Sequence, residues 1–174
     1  VVNASDIITS QDRPSRIHKL KPNSSIVRCI KMIKEKSVDA AISAGNTGAL
    51  LSSSLFIVGK IKGIKRPALA PYIPTNSGGL ILCDAGANSD VKPQHLVQFA
   101  LMASAYLEHL KNLKNPKVGL LNIGSEENKG NEIMRSAYPL LKNHIKNFTG
   151  NIESRYMLNG DVDIVVCDGF TGNI

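Results

Sequence analysis

Short apolar runs alternate along the chain with longer stretches in which apolar residues recur every three or four positions. Runs of four or five mainly apolar residues lie at 38–42, 80–83, 117–121 and 163–167, and a briefer run at 148–152. Runs of this kind are typical of strands in a parallel sheet whose two faces are both covered. The helical pattern occupies 24–36, 49–60, 93–113 and 131–146. Strands that alternate with helices predict the α/β class.

The remaining segments are irregular or short. Residues 1–23 contain Pro14, Pro22 and four basic residues, and 61–66 is a basic connector. The prolines of 67–74 predict an extended segment at a sheet edge. A turn is expected at 75–79 and a short helical turn at 153–158. We expect the whole chain, 1–174, to form a single α/β domain.

Four predicted strands are each followed by a small, polar loop that contains glycine: 43–48, 84–90, 122–130 and 168–173. In a parallel sheet with right-handed crossovers, such loops open at one edge, beyond the carboxyl ends of the strands. The sequence therefore predicts a polar cleft there. Its polar lining would come from these residues: Ser43, Asn46, Thr47, Asp84, Asn88, Asn122, Ser125, Lys129, Asp168, Thr171 and Asn173.

The sequence of the loop 43–48 is typical of an anion-binding turn. It joins a predicted strand to a predicted helix through Gly45 and Gly48. Such a turn directs backbone N–H groups and the positive end of the helix dipole at one point, where an anion or an oxyanion can bind. The alternative is a tight turn in which the glycines serve only the backbone conformation.

Charge is distributed unevenly over the 174 residues, whose net charge is +7. Residues 1–66 hold twelve Lys and Arg against four Asp and Glu, whereas 67–174 hold nine against ten. A basic half favours an acidic partner, although a solvated lysine-rich surface is the alternative. Because no aromatic stripe accompanies the lysines, we expect no nucleic-acid partner.

Composition points to a cytoplasmic protein. No apolar run approaches the roughly 20 residues of a membrane span, and the charged first 30 residues do not resemble a signal peptide. Cys29, Cys83 and Cys167 are widely spaced, and we expect them to be reduced thiols.

Val1 is not a starting methionine, and 168–174 begin a strand-to-helix turn without its helix. We therefore expect an internal fragment of a larger chain.

The familiar catalytic motifs are missing from the sequence. It contains no Walker-type GxxxxGK[ST], no GxGxxG after a strand and no GxSxG. All four histidines lie outside the polar loops, so a serine or cysteine nucleophile would lack a base. Cys167 is interpreted as a buried strand thiol. Asp84 and Asp168 either orient a substrate or cation, or cap the following helix. No cofactor or metal is expected.

The loops instead supply hydrogen-bond donors and one cation. Backbone N–H groups, the side-chain amides of Asn46, Asn88, Asn122 and Asn173, and the ammonium of Lys129 suit an anionic co-substrate and a developing oxyanion. Such a site needs no nucleophile from the enzyme.

Six motifs occur in one order and spacing: SAGNTGALL, RPALAP, DAGAN, LVQFALMAS, GLLNIGSEENKGNE and CDGFTGN. Together they closely resemble the PlsX family, the acyl-[acyl-carrier-protein]:phosphate acyltransferases of bacterial phospholipid synthesis. The resemblance implies a three-layer α/β fold with helices on both faces, related to isopropylmalate dehydrogenase and phosphotransacetylase. It implies a homodimer that moves a long fatty acyl group from acyl carrier protein to inorganic phosphate. The product would pass to a membrane-bound glycerol-3-phosphate acyltransferase.

We hypothesise a site for this reaction. Lys129 and Asn173 are the expected catalytic residues, as counter-charge to phosphate and as oxyanion donor, and the alternative for Lys129 is a solvated lysine at a helix start. The expected substrate-binding residues are Ser43, Gly45, Asn46, Thr47, Gly48, Asp84, Gly86, Asn88, Asn122, Gly124, Asp168, Gly169, Thr171 and Gly172. Two family features are missing here: an initial strand ending in a D-x-M-G-G-D-type loop, and the later helices implied in dimer formation and membrane association.

Three other functions stay open. A phosphate acetyl- or butyryltransferase would use a short acyl-CoA. A decarboxylating dehydrogenase of related fold would need a nicotinamide cofactor and a metal with clustered aspartates, of which only Asp84, Asp90 and Asp168 lie in the loops. A non-catalytic module that binds lipid or phosphate is the third.

Overall fold

The computed structural model describes residues 1–76 and 78–174. The chain divides into two compact units, Val1–Pro67 and Ala68–Ile174, which are described separately. The expectation of one domain over 1–174 stays a prediction.

The first unit is built from short helices. Its α-helices are α1 (Ile17–Leu20), α2 (Ser25–Lys34) and α3 (Thr47–Ser53). A 3₁₀ turn, Pro14–Arg16, precedes α1, and α3 continues as a π-helical turn over Ser54–Val58. The helices predicted over 24–36 and 49–60 are thus confirmed, with ends that differ by one to several residues.

The core of the first unit joins α2 to α3. Ile26 and Val27 of α2 are buried with Ile17 and Ala49, and Ile30 of α2 is also buried. Ile26 and Ile30 lie one helical turn apart, which places them on one face of α2, as their spacing predicts. Ser24 occupies the position before the first turn of α2, but its hydroxyl donates to the Lys21 carbonyl at 2.8 Å rather than accepting from the helix.

The strand predicted at 38–42 is wrong. These residues are not part of a strand, and Ile42 is 97% exposed. A strand is stable only beside a hydrogen-bonded neighbour. Residues 1–67 are all described, and apart from an isolated bridge between Asp6 and Ser24 no strand lies among them. The apolar run 38–42 therefore has no pairing partner within its own unit.

The second unit contains a five-stranded sheet. Its strands are β1 (Tyr72–Thr75), β2 (Gly78–Cys83), β3 (Val118–Asn122), β4 (Phe148–Glu153) and β5 (Ile164–Val166). They lie in the order β1-β2-β5-β3-β4. Only β1 and β2 pair antiparallel, and every other neighbouring pair is parallel. The α/β class and the mostly parallel sheet are confirmed, as is an edge strand after Pro67.

The hairpin between β1 and β2 is tighter than expected. Thr75 pairs with Gly78, so the strands extend into the turn predicted at 75–79. Ser77, which belongs to that predicted turn, lies outside the described residues.

The two faces of the sheet bury alternate residues of the same strands. The long helices α4 (Pro93–Lys111) and α5 (Glu132–His144) pack on each other and on one face, against Ile81 and Cys83. Leu80 and Leu82 join a smaller cluster on the other face, which includes Met157 of the 3₁₀ helix Ser154–Asn159. Alternation of this kind follows from the two-residue period of a strand. The helices predicted over 93–113 and 131–146 are confirmed as α4 and α5, and both end before the predicted residue.

The parallel strands β2, β5 and β3 are adjacent. Their carboxyl ends therefore lie at one edge of the sheet, and 84–90, 168–173 and 122–130 follow them there. This part of the predicted loop arrangement is confirmed by the topology.

In the described part of the chain, the structure contains no helix whose length and apolar character would let it cross a membrane.

Candidate functional site

The loops 84–90 and 168–173 are packed together without spare room. The backbone N–H of Gly169 donates to the carbonyl of Asn88 at 2.7 Å. A Cβ on Gly169 would lie 2.7 Å from the Asn88 nitrogen and 2.8 Å from Asp84 Oδ2, and one on Gly172 would collide with the Asp84 carbonyl. Both glycines are therefore needed for the close approach of the two loops.

Asn173 lies against the same loop. Its Oδ1 is 3.0 Å from the place where a Cβ on Gly86 would sit, and the backbone at Gly86 has a φ of +125°, which favours glycine. Gly86 thus admits the Asn173 side chain, which belongs to an exposed residue. Two of the predicted site residues are brought into contact here.

Asp84 holds the loop 84–90 from inside. The residue is fully buried. Its Oδ1 accepts from the backbone nitrogens of Leu69 (2.9 Å) and Ala87 (3.1 Å). Its Oδ2 accepts from the backbone nitrogen of Asn88 (2.7 Å) and from Asn88 Nδ2 (2.8 Å). Four donors use both carboxylate oxygens, so Asp84 orients the loop.

Asp168 performs a related task at the partly exposed end of β5. Its Oδ1 accepts from the backbone nitrogens of Phe170 (3.0 Å) and Thr171 (2.9 Å), and its Oδ2 accepts from Thr171 Oγ1 at 2.8 Å. These bonds start the short 3₁₀ helix Thr171–Asn173. Asp168 thus bonds to residues two and three positions later, in the manner of an Asx turn, and the N-cap of this 3₁₀ helix is Phe170.

The loop 122–130 is closed by Asn122. The Nδ2 of Asn122 donates to the Lys129 carbonyl at 3.1 Å, and its Oδ1 accepts from the Ile123 nitrogen at 2.9 Å. A Cβ on Gly130 would collide with Asn122 Oδ1. Asn122 therefore sets the shape of the loop, and Gly124, where a Cβ would lie 2.8 Å from Glu126 Oε2, lies inside it.

The same loop is tied to α5 through Glu127. Its Oε1 accepts from Lys142 Nζ at 2.9 Å and from the Tyr138 hydroxyl at 3.2 Å. The hydrogen bond from Lys142 lowers the pKa of Glu127, and the bond to Glu127 raises the pKa of Lys142. Burial, and then the bond to Glu127, raise the pKa of Tyr138. The loop sequence alone could not predict these contacts of Glu127, because Tyr138 and Lys142 lie on the following helix.

Lys129 is a cation on the accessible side of this loop. Its Nζ lies 3.6 Å from Glu126 Oε1, and its side chain is 46% exposed. The residue precedes α5, whose first turn also holds Glu132. A lysine near a helix N-terminus opposes the dipole. Glu126 supplies part of the expected counter-charge, while the exposure of Lys129 leaves its ammonium accessible to a second anion.

A pocket of about 450 Å³ lies between the loops 122–130 and 168–173. Asn122 and Thr171, two of the expected substrate-binding residues, line it. It is also lined by residues that sequence reasoning missed: Leu121, Ile123, Gly130, Asn131, Met134 and Ser154. Ile123 could have been found, since it lies inside a predicted loop. Ser154 could not be predicted as a lining residue from the sequence, because its position depends on where β4 ends and the next 3₁₀ helix begins.

The two cysteines beside the site are buried. Cys83 and Cys167 are 1% and 0% exposed, and the Cys167 thiol lies 3.4 Å from the Asp84 carbonyl. Burial, with the nearby Asp168 and Asp84 carboxylates, raises the pKa of Cys167 to about 12. Burial also raises the pKa of Cys83. The interpretation of Cys167 as a buried thiol is confirmed, although β5 ends one residue before it.

The loop 43–48 belongs to the first unit. Ser43 Oγ accepts from the Gly45 nitrogen at 3.1 Å, and Asn46 Oδ1 accepts from the Ala49 nitrogen at 2.8 Å. Asn46 is therefore the N-cap of α3, of which Thr47 and Gly48 form the first turn. The predicted convergence of the loop 43–48 with the other three loops stays a prediction.

A pocket of about 460 Å³ lies beside this loop within the first unit. Ser43, Gly45 and Asn46 line it together with the carboxylate-bearing Asp6. Asp6 is itself bound by the Asn23 nitrogen at 2.8 Å. The charge of Asp6 weakens anion binding on that side of the loop.

Comparison with known proteins places the chain in a family. The family model described as "Fatty acid synthesis protein" matches residues 1–174. Curated relatives include a phosphate acyltransferase from Exiguobacterium, 51% identical over 100% of this chain and 53% of its own length. Another, from Bacillus licheniformis, is 52% identical with the same coverage. The chain thus spans about half the length of these relatives.

Solved structures support the fold. The EutD phosphotransacetylase of Staphylococcus aureus superposes with a TM-score of 0.62 at 17% identity, over 87% of this chain and 53% of its own. A phosphotransacetylase from Streptococcus pyogenes gives 0.57 at 18%, over 83% and 50%. The predicted relation to the phosphotransacetylase fold is confirmed. By the full-length family match, this chain belongs to the fatty acid synthesis protein family, and its resemblance to the PlsX phosphate acyltransferases is confirmed.

Proposed function

We propose that this protein transfers a long-chain fatty acyl group from the thioester of acyl carrier protein to inorganic phosphate. A phosphate oxygen would form a bond to the thioester carbonyl carbon, the C–S bond would break, and the leaving thiolate would take up the proton that hydrogen phosphate loses on acylation. The product is an acyl phosphate for phospholipid synthesis. The observation that carries the proposal is the roughly 50% identity to phosphate acyltransferases along the whole chain.

Phosphate would bind on the loop amides with Lys129 as its counter-charge. The accessibility of the Lys129 ammonium supports this role. Phosphate is already an anionic nucleophile at neutral pH, so the reaction needs no general base from the protein. Asn122 and Gly124 would hold the loop 122–130 in the required shape.

Asn173 would stabilise the oxyanion that develops on the thioester carbonyl. Its contact with Gly86 and the close packing of Gly169 and Gly172 support a fixed position for this amide. Preorganised donors of this kind lower the barrier most where charge develops. Asn88 and Thr171 would complete the wall of the site, while Asp84 and Asp168 orient its loops.

We also propose that Ser43, Gly45, Asn46, Thr47 and Gly48 contact substrate. The similarity to phosphate acyltransferases, which extends over this loop, supports this step. Asn46 already uses its Oδ1 to cap α3. Its amide Nδ2 is the group we propose for substrate binding.

Acyl carrier protein would dock on the basic first unit. The docking face would be formed by exposed basic residues of this unit: Arg13, Arg16, Lys19, Lys60, Lys62, Lys65 and Arg66. An acidic partner would be attracted there, and the attraction would weaken with salt. If the KM for carrier protein were the same at low and physiological ionic strength, this docking face would be abandoned. A cytoplasmic homodimer, associated with the membrane and feeding a glycerol-3-phosphate acyltransferase, completes the proposal.

A donor comparison tests the proposal. The full-length protein is supplied with phosphate and either long-chain acyl carrier protein or acetyl-CoA, and acyl phosphate is measured as its hydroxamate. We expect a much larger kcat/KM for the long-chain donor. A preference for acetyl-CoA would favour a short-chain phosphate acyltransferase, the alternative that the fold of the two phosphotransacetylases supports.

A further inference from the structure

The pocket between the loops 122–130 and 168–173 has a mixed lining. Leu121, Ile123 and Met134 supply apolar surface, whereas Asn122, Ser154 and Thr171 supply polar groups. Pockets that bind small molecules commonly combine a mainly apolar wall with a few polar groups, and their volumes begin at about 300 Å³. At about 450 Å³, this pocket falls within that class.

Ile123 is unusual within its loop. It is 80% exposed, and it is the sole apolar side chain of 122–130. The backbone nitrogen of Ile123 donates to Asn122 Oδ1 and so helps to fix the loop. The exposed side chain of Ile123 does not pack in the core. An isolated exposed isoleucine is ordinary on a protein surface. Ile123, however, lines a pocket beside polar loops, where its side chain can contact a ligand.

Met134 provides the other side of the apolar wall. It lies in the first turn of α5, is 6% exposed, and packs in the main core. A thioether side chain is flexible and adapts to irregular apolar shapes. The lining of the pocket is therefore partly or fully buried at Leu121 and Met134 and exposed at Ile123.

We infer that this apolar wall binds the alkyl chain of the acyl donor next to the thioester, and that Ile123 contributes to selection for chain length. The inference rests on the proposed function. The polar part of the pocket includes Asn122 and Thr171, so a carbonyl held at the polar loops would have its first methylenes within reach of the apolar wall. Transfer of each methylene from water into such a wall is favourable by about 0.8 kcal/mol, or about fourfold in affinity.

The test uses the full-length protein and pantetheine thioesters of acetate, octanoate and dodecanoate, which avoid any effect of carrier-protein docking. The variant is Ile123→Ser, and the control is Ile61→Ser, which removes an isoleucine that is 75% exposed and distant in sequence from the pocket lining. For Ile123→Ser we expect kcat/KM with dodecanoyl thioester to fall about 4- to 15-fold, the value of one or two methylene contacts. Acetyl thioester, which has no methylene, should be affected less than twofold, and Ile61→Ser should keep the original ratio.

Binding measured by calorimetry separates this inference from the proposed function. If the parent protein makes no acyl phosphate from any donor, the proposed function fails, and a weaker dodecanoyl affinity in Ile123→Ser would still support the pocket. If the parent protein makes acyl phosphate and Ile123→Ser keeps the same ratio of long- to short-chain kcat/KM and affinity, the pocket inference is overturned alone. An equal loss with every chain length would also overturn it, because a contact with alkyl carbons must depend on their number.

Discussion

At the scale of single residues, two aspartates with similar sequence settings have different environments. Asp84 and Asp168 each follow a strand and precede a glycine-containing loop. Asp84 is fully buried among four hydrogen-bond donors, whereas Asp168 is partly exposed and bonds to residues two and three positions later. Their contributions to stability should therefore differ.

Replacement of Asp84 by asparagine should destabilise the second unit. An amide NH₂ would replace one oxygen that accepts hydrogen bonds, and each buried donor left unpaired costs about 1–3 kcal/mol. We expect the free energy of unfolding, measured with urea, to fall by about 3 kcal/mol. The matched variant Asp168→Asn should lose less than about 1 kcal/mol, since water can reach its neighbours. Equal losses would refute the distinction.

Lys129→Ala should abolish acyl phosphate formation without affecting folding. The Lys129–Glu126 pair is exposed on both sides, and such pairs contribute about 0–1 kcal/mol to stability. Glu126→Gln removes the same ion pair and retains the cation, so it should stay active. Near-normal turnover in Lys129→Ala, or matching losses in both variants, would remove Lys129 from the proposed chemistry.

The buried Cys167 thiol should be inert in the folded protein. Its pKa is raised from 9.0 to about 12, mainly by burial. Iodoacetamide at pH 8 should therefore modify the partly exposed Cys29 first, and Cys167 only after urea is added. Because the folded pKa is the higher one, the contribution of this thiol to stability is present below pH 9 and is lost as pH rises towards 12. Rapid labelling of Cys167 in native protein, read by mass spectrometry, would contradict the buried environment.

At the scale of elements, the packing of 84–90 against 168–173 depends on glycine. Gly169→Ala would put a Cβ within 3.0 Å of two backbone atoms of Asn88, neither of which can move alone. We expect a loss of about 1–3 kcal/mol in unfolding free energy, typical of overpacking. Gly124→Ala is the control, because its nearest neighbours are side-chain atoms of Glu126 and Lys129 that can give way. A larger loss at Gly124 than at Gly169 would argue against the interlocked loops.

Most elements of the second unit could be predicted from the sequence, because their periodicity and their burial agree. The run 80–83 is buried as β2, and the pattern from Pro93 becomes α4. The run 38–42 has the same local pattern, yet Ile42 is exposed, since a strand depends on a neighbour that local pattern does not supply. Likewise, polar loops could be located from sequence, but the contacts of Glu127 with Tyr138 and Lys142 required the packing of α5.

At the scale of the whole molecule, the two units differ in composition as well as structure. The basic residues concentrate in the first unit, and the strand-end loops with Lys129 and Asn173 lie in the second. In the proposed reaction, the basic residues of the first unit would attract an acidic carrier protein. The strand-end loops of the second unit would bind phosphate and the thioester carbonyl. The central claim of this proposal is direct transfer from thioester to phosphate.

Release of the carrier-protein thiol tests that claim most directly. Full-length protein is mixed with long-chain acyl carrier protein, with and without phosphate, and free thiol and acyl phosphate are measured together. Direct transfer predicts one acyl phosphate for each thiol released, and no thiol release when phosphate is omitted. Thiol release without phosphate, or without an equal amount of acyl phosphate, would contradict the account.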